Sequence, residues 1–153
     1  VKGCREILSQ IPGSENFTHI VCAVGTGTTC RGIADTALPH QTVIAVPVIR
    51  VQKNEQESFT NRNLQSGKAS QLKVLFDFAG KGYAKADTDL FEFMNRFYRQ
   101  TSVPLDFVYT AKLLQAVIHL FESGYFETRS RVLVMHSGGL QGNDSLPANT
   151  LVY

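Results

Sequence analysis

The sequence predicts an α/β fold, a mostly parallel sheet with helices on both faces. Three observations carry that prediction. Two apolar runs, 18–24 (Thr-His-Ile-Val-Cys-Ala-Val) and 42–49 (Thr-Val-Ile-Ala-Val-Pro-Val-Ile), lack the in–out alternation of a half-exposed strand. They suit strands covered on both sides. Helical patterns alternate with strand patterns along the chain. The first run ends in Gly25-Thr-Gly-Thr-Thr29, a tight turn that leads from a strand into a helix.

The elements follow in order. Residues 3–10 have a helical pattern that Pro12-Gly13-Ser14 breaks. After the strand 18–24 and its turn, a helix runs to about Leu38, where Pro39 stops it. The strand 42–49 contains Pro47, which cannot donate to a ladder and marks a sheet edge or the strand's end. Residues 52–70 are polar and are expected to form an exposed, uneven helix. A third strand is expected over 72–78, followed by the loop Gly80-Lys-Gly82-Tyr83. Residues 88–100 form the clearest amphipathic helix, with Leu90, Met94, Phe97 and Tyr98 on one stripe and Asp87 or Asp89 as cap. From Thr110 to Ser123 a helix is apolar on most sides (Leu113, Leu114, Val117, Ile118, Leu120, Phe121) and is expected to be buried, with Gly124 as its stop. A last strand, 131–135, ends in His136-Ser-Gly-Gly139.

Composition excludes several classes. The chain has 153 residues, enough for one domain with a real core. A net charge of +2 without a basic block gives no footprint for nucleic acid. No apolar run reaches the ~18 residues of a membrane span. Three cysteines at irregular spacing (Cys4, Cys22, Cys30) suggest a reducing, cytoplasmic setting, with Cys22 a small buried thiol. The four histidines and three cysteines show no metal-ligand spacing. Ser137 followed by two glycines is not a nucleophile elbow.

The Gly25–Thr29 turn points backbone N–H groups at one spot, at the positive end of a helix dipole, an arrangement that holds phosphate. A P-loop needs a lysine after its last glycine, and none follows here. A dinucleotide fingerprint needs a third glycine, where Cys30 stands, and an acid ~20 positions on, which the strand ending Val46-Pro-Val-Ile-Arg50 lacks. A single phosphate monoester held by amides and the hydroxyls of Thr26, Thr28 and Thr29 suits the residues best. An ordinary strand-to-helix turn remains open on these residues alone.

Four segments occur in order: Val24-Gly-Thr-Gly-Thr-Thr29, Phe78-Ala-Gly-Lys-Gly-Tyr83-Ala-Lys, Pro104-Leu-Asp-Phe-Val-Tyr109-Thr-Ala-Lys112 and His136-Ser-Gly-Gly-Leu-Gln-Gly142. Together they resemble the 1-aminocyclopropane-1-carboxylate deaminase / D-cysteine desulfhydrase family over about residues 2–142. The resemblance implies a pyridoxal 5'-phosphate enzyme of the tryptophan-synthase-β-like fold. It implies that Gly25, Thr26, Gly27, Thr28 and Thr29 hold the cofactor phosphate. It implies that Tyr83 and Tyr109 line the substrate side and carry catalytic roles, and that Thr110 faces the pyridine nitrogen. Threonine there matches the desulfhydrase-like members, where the deaminases have an acid. A neutral partner leaves the nitrogen largely unprotonated, which suits β-elimination.

Two departures stand out: Ala111 replaces the usual glycine, and Ser137 the usual threonine. The family's Schiff-base lysine lies in a part of the chain that would precede residue 1. None of Lys2, Lys53, Lys68, Lys73, Lys81, Lys85 and Lys112 sits in its context. The expectation is therefore a partial α/β domain, residues 1–153, from the C-terminal part of the large domain. It would be inactive alone, and part of a homodimer when complete. The reaction would release ammonia and a 2-oxo acid from a small amino acid, with sulfide if that is D-cysteine.

Each site residue also has a plainer reading. Tyr83 could pack on a sheet edge, Tyr109 could be a core tyrosine, and Thr110 suits an N-cap. His136 is read as a satisfied core histidine. The alternative function is a non-catalytic α/β domain that binds a phosphate ligand or a partner. An isolated chain with open sheet edges is expected to self-associate.

Overall fold

The two apolar runs become the central strands, and both are buried because helices cover them on each side. A computed structural model describes residues 2–64, 71–80 and 82–153. In chain order the main elements are β1 (His19–Val24), α1 (Thr28–Thr36), β2 (Thr42–Pro47), α2 (Gln56–Asn63), β3 (Gln71–Val74), α3 (Thr88–Thr101), α4 (Thr110–Glu122) and β4 (Val132–Val134). All pairings are parallel and the strand order is β3-β2-β1-β4. The chain steps outward from β1 to β2 to β3, then returns to lay β4 on the other side of β1. That reversal opens a crevice beyond the C-terminal ends of β1 and β4.

Strand geometry sorts the core into two layers. Ile20, Cys22 and Val24 of β1 and Val43 and Ala45 of β2 pack with Cys30, Ile33 and Ala34 of α1 and with Phe59 of α2. Val21, Ile44 and Val46 face the opposite way and meet Leu113, Ala116 and Val117 of α4. A third layer forms where α3 buries Leu90, Phe93 and Met94 against Leu105, Phe107, Val108 and Ala111. The N-terminal segment lies across α1. Gly32 makes this possible, since a Cβ there would sit 2.4 Å from the Cβ of Cys4. Arg5 and Asp35 then form an ion pair at 2.7 Å.

Several local expectations need correcting. Residues 3–10 form two 3-10 turns, Gly3–Arg5 and Leu8–Gln10, in place of a helix. Of the two readings of Pro47, the strand's end holds and the sheet edge does not, since β2 is an inner strand. The polar stretch holds a 3-10 turn, Lys53–Glu55, and α2, while its remainder, 65–70, lies outside the described residues. The third strand ends at Val74, and Phe76–Phe78 turn into a 3-10 segment. Phe121 lies on the outer face of α4 and is exposed. Asp87 caps α3 as expected, accepting from the Leu90 N–H at 3.1 Å. Gly124, at φ +70°, follows the end of α4.

Candidate functional site

β1 delivers Gly25 to the mouth of the crevice, and α1 begins three residues later. Gly27 is the N-cap of α1, at φ +83°, and makes no side-chain cap. The leading amides of α1 lack intrahelical partners by helix geometry and carry the positive end of the dipole. The hydroxyls of Thr26 and Thr28 are hydrogen-bonded to each other at 3.2 Å, so one of them keeps a free proton beside those amides and the other can donate once that bond is exchanged.

The two glycines serve different ends. At Gly27 a Cβ would lie 2.5 Å from the carbonyl oxygen of Asn63, and the left-handed backbone disfavours any other residue. At Gly25 a Cβ would lie 3.1 Å from Cε1 of Tyr109, so the bare backbone lets that ring lie against the turn.

A cavity of about 330 Å³ sits at the switch point. One wall is Gly25 to Thr29; the other is formed after β4 by Ser137, Gly138, Gly139 and Gln141. Cys22 and Cys30 contribute to its lining, and Tyr109 closes one side. Tyr83 does not line it. Its ring, 54% exposed, stands edge-on to Tyr109 with centroids 6.0 Å apart. The Tyr109 hydroxyl donates to that of Tyr83 at 3.4 Å. This bond, then burial, pushes the Tyr109 phenol up to about 12.

Thr110 is not brought to the cavity. It is wholly buried, and its hydroxyl donates to Oδ2 of Asp106 at 2.8 Å while accepting from the Asp106 N–H at 2.7 Å. Nor is Thr110 the N-cap, a position held by Tyr109 without a side-chain bond. Asp106 does the capping: Oδ1 accepts from the N–H groups of Val108 (2.9 Å) and Tyr109 (2.7 Å), and Oδ2 from that of Thr110 (2.9 Å). This carboxylate is 1% exposed and fixes the turn that presents Tyr109. His136 bonds to the Pro104 carbonyl at 2.9 Å, as a satisfied histidine should, but it is exposed and not the core residue expected.

Sequence reasoning passed over Asp106 and Gln141. An Asp just before a helix is a known turn-former and capping type, so the signal for Asp106 was present. For Gln141 the sequence held none.

The residues fit the phosphate of pyridoxal phosphate. Uncapped amides, the Thr26–Thr28 hydroxyl pair, and Gly27 with no room for a Cβ describe a cradle for one tetrahedral anion. They fit the ring less fully, since the hydroxyl on the far wall is Ser137 and not Thr110. An open parallel sheet with an anion cradle at its switch point is the frame of a nucleotide- or cofactor-phosphate-binding protein. The pattern of the pyridoxal-phosphate dependent enzyme family matches residues 3–138, and the chain belongs to that family. Over 138 residues it is 28% identical to a Thermotoga maritima protein provisionally named a 1-aminocyclopropane-1-carboxylate deaminase, covering 84% of this chain and 43% of that one. Its fold matches the crystal structure of a 1-aminocyclopropane-1-carboxylate deaminase homologue with a TM-score of 0.69 at 20% identity, over 93% of this chain and 45% of the other. The chain thus spans a little under half the length of these two relatives.

Proposed function

We propose that this chain is the phosphate-binding part of a pyridoxal-phosphate enzyme that removes ammonia from a small amino acid and leaves a 2-oxo acid. The observation that carries the reading is the Gly25–Thr29 cradle at the switch point with Tyr109 against it. When bound, the cofactor supplies the electron sink for cleavage at the amino-acid α and β carbons.

The chain's own residues do the rest. The amides and hydroxyls of the turn hold and orient the phosphate. Tyr109 keeps its proton across the neutral range and serves as a hydrogen-bond donor at the cavity. Tyr83, at the outer side, accepts from it and meets substrate first. Among the described residues no lysine lines the cavity. The cofactor-anchoring amine in this proposal comes from a segment outside residues 1–153. Free thiols at Cys4, Cys22 and Cys30 support a cytoplasmic setting. No helix among the described residues is long and apolar enough to cross a membrane. We expect the complete protein to be a homodimer.

The experiment is turnover of the intact protein with D-cysteine and with 1-aminocyclopropane-1-carboxylate, reading ammonia, sulfide and 2-oxo acid. Elimination from D-cysteine is the expected preference; its support is the sequence resemblance, since Thr110 does not reach the cavity. The second reading is a phosphate-ligand-binding domain without chemistry; what supports it is that no lysine among the described residues lines the cavity. It wins if neither compound is consumed at saturating cofactor.

A further inference from the structure

Lys112 is the one lysine among the described residues that is fully buried, at 3% exposure. A buried ammonium needs partners, because burial penalises its charge. Its Nζ donates to the carbonyl of Gly82, 30 residues earlier in the chain. Two carboxylates favour its charge: Asp87, which caps α3, and Asp106, which fixes the start of α4. Lys112, in the first turn of α4, therefore ties the start of that helix to the loop 82–85, with burial outweighing the favourable fields of Asp87 and Asp106. Gly82 immediately precedes Tyr83, and Asp106 holds the turn that bears Tyr109. Gly82 itself is at φ +105°, a conformation that places its carbonyl where few other residues would. Tyr83 is more than half exposed, so its own side chain gives the loop little anchorage.

We propose that Lys112 is a positioning residue for the tyrosine pair: its buried ammonium holds the Gly82 carbonyl and so keeps Tyr83 edge-on against Tyr109. Lys112 touches neither the cavity nor any reacting atom, and it acts through the loop. Its relevance to turnover rests on the catalytic reading of the two tyrosines given above.

The test is a tyrosine titration, by site-assigned ring-carbon resonances, in the intact protein without cofactor or substrate. The groups facing the Tyr109 phenol are Tyr83 and Asp106. Lys112→Met is expected to free Tyr83 and let the Tyr109 midpoint fall from about 12 toward its ordinary value near 10. Tyr83→Phe should produce the same fall, and the double variant no further one. Lys112→Arg, which keeps a cationic donor, should restore most of the shift. Tyr98 and Tyr125, which pack elsewhere against Tyr153 and Phe126, report on the fold. A midpoint that stays near 12 in Lys112→Met with those two signals unchanged overturns the proposal. So does an arginine that restores nothing, which would assign the shift to lost packing. Loss of the Tyr98 and Tyr125 signals in both variants makes Lys112 a core residue only, and overturns it too. Failure of the catalytic reading is seen separately, as wild-type turnover in Tyr83→Phe and Tyr109→Phe.

Discussion

Replacing Asp106 by alanine is the most demanding test of how this site is built. The carboxylate is 1% exposed and accepts four bonds, from the N–H groups of Val108, Tyr109 and Thr110 and from the Thr110 hydroxyl, between 2.7 and 2.9 Å. Bonds to a charged group contribute about 1.5–3 kcal/mol each, and they do not add. Losing an N-terminal cap alone costs about 0.5–2 kcal/mol. Here the donors stay buried once the acceptor is gone, so a total cost of about 3–5 kcal/mol is expected. Asn should cost about half as much, because one of its two polar atoms is itself a donor facing donors. With a urea m-value of about 2 kcal/mol/M, Asp106→Ala lowers the unfolding midpoint by about 2 M. Equilibrium unfolding followed by far-UV circular dichroism reads this directly. A loss under about 1 kcal/mol with an unchanged m-value would refute the reasoning, since it would mean that water or a rebuilt turn satisfies those amides.

Other consequences are open to measurement. Gly27→Ala forces a Cβ to 2.5 Å from the Asn63 carbonyl at φ +83°, so inorganic phosphate should bind at least about tenfold more weakly by calorimetry. An unchanged Kd would remove the turn from the binding site. Tyr109, raised above its ordinary value, contributes stability that is present below pH 10 and lost as pH rises through about 12. Its titration should therefore be absent from a pH–rate profile between about 6 and 9, and a basic limb abolished by Tyr109→Phe would contradict that. His19 is held below its ordinary value, first by burial and then by Lys73. The unfolded chain then binds more protons just below pH 6.5, so stability falls as pH drops through that region, and His19→Phe should flatten the fall in a series of thermal melts.

The sheet was legible because burial on both faces leaves a plain mark: β1 and β2 are apolar without alternation, and helices separate them. The turn was legible because strand, glycines and threonines fall in consecutive positions. Legibility failed where tertiary contacts overrule local pattern. Residues 3–10 have a helical pattern, yet their segment is shaped by docking on α1 at Gly32 and by the Arg5–Asp35 pair. Phe76 and Phe78 suit a strand, but each packs sideways, on Phe59 and on His119. At the site, the family resemblance implied that the Thr110 hydroxyl faces the cofactor ring. What sequence could not reveal is that Asp106, four positions earlier, takes up that hydroxyl entirely. Nor does any one-dimensional pattern show that the loop after β4 forms the facing wall, because that contact spans more than a hundred residues.

The reversal of strand order divides the cavity between two strands. The anion-holding turn grows from β1 and α1, whereas the facing segment 137–141 hangs from the edge strand β4. The two walls still meet, since Gly139 lies against Asp106 and Asn143 bonds to Leu105 and Phe107, next to the turn that presents Tyr109. On the proposed function, the phosphate grip and the wall that faces it grow from different strands, so substitutions at Ser137 or Gln141 alter that wall without touching the threonines.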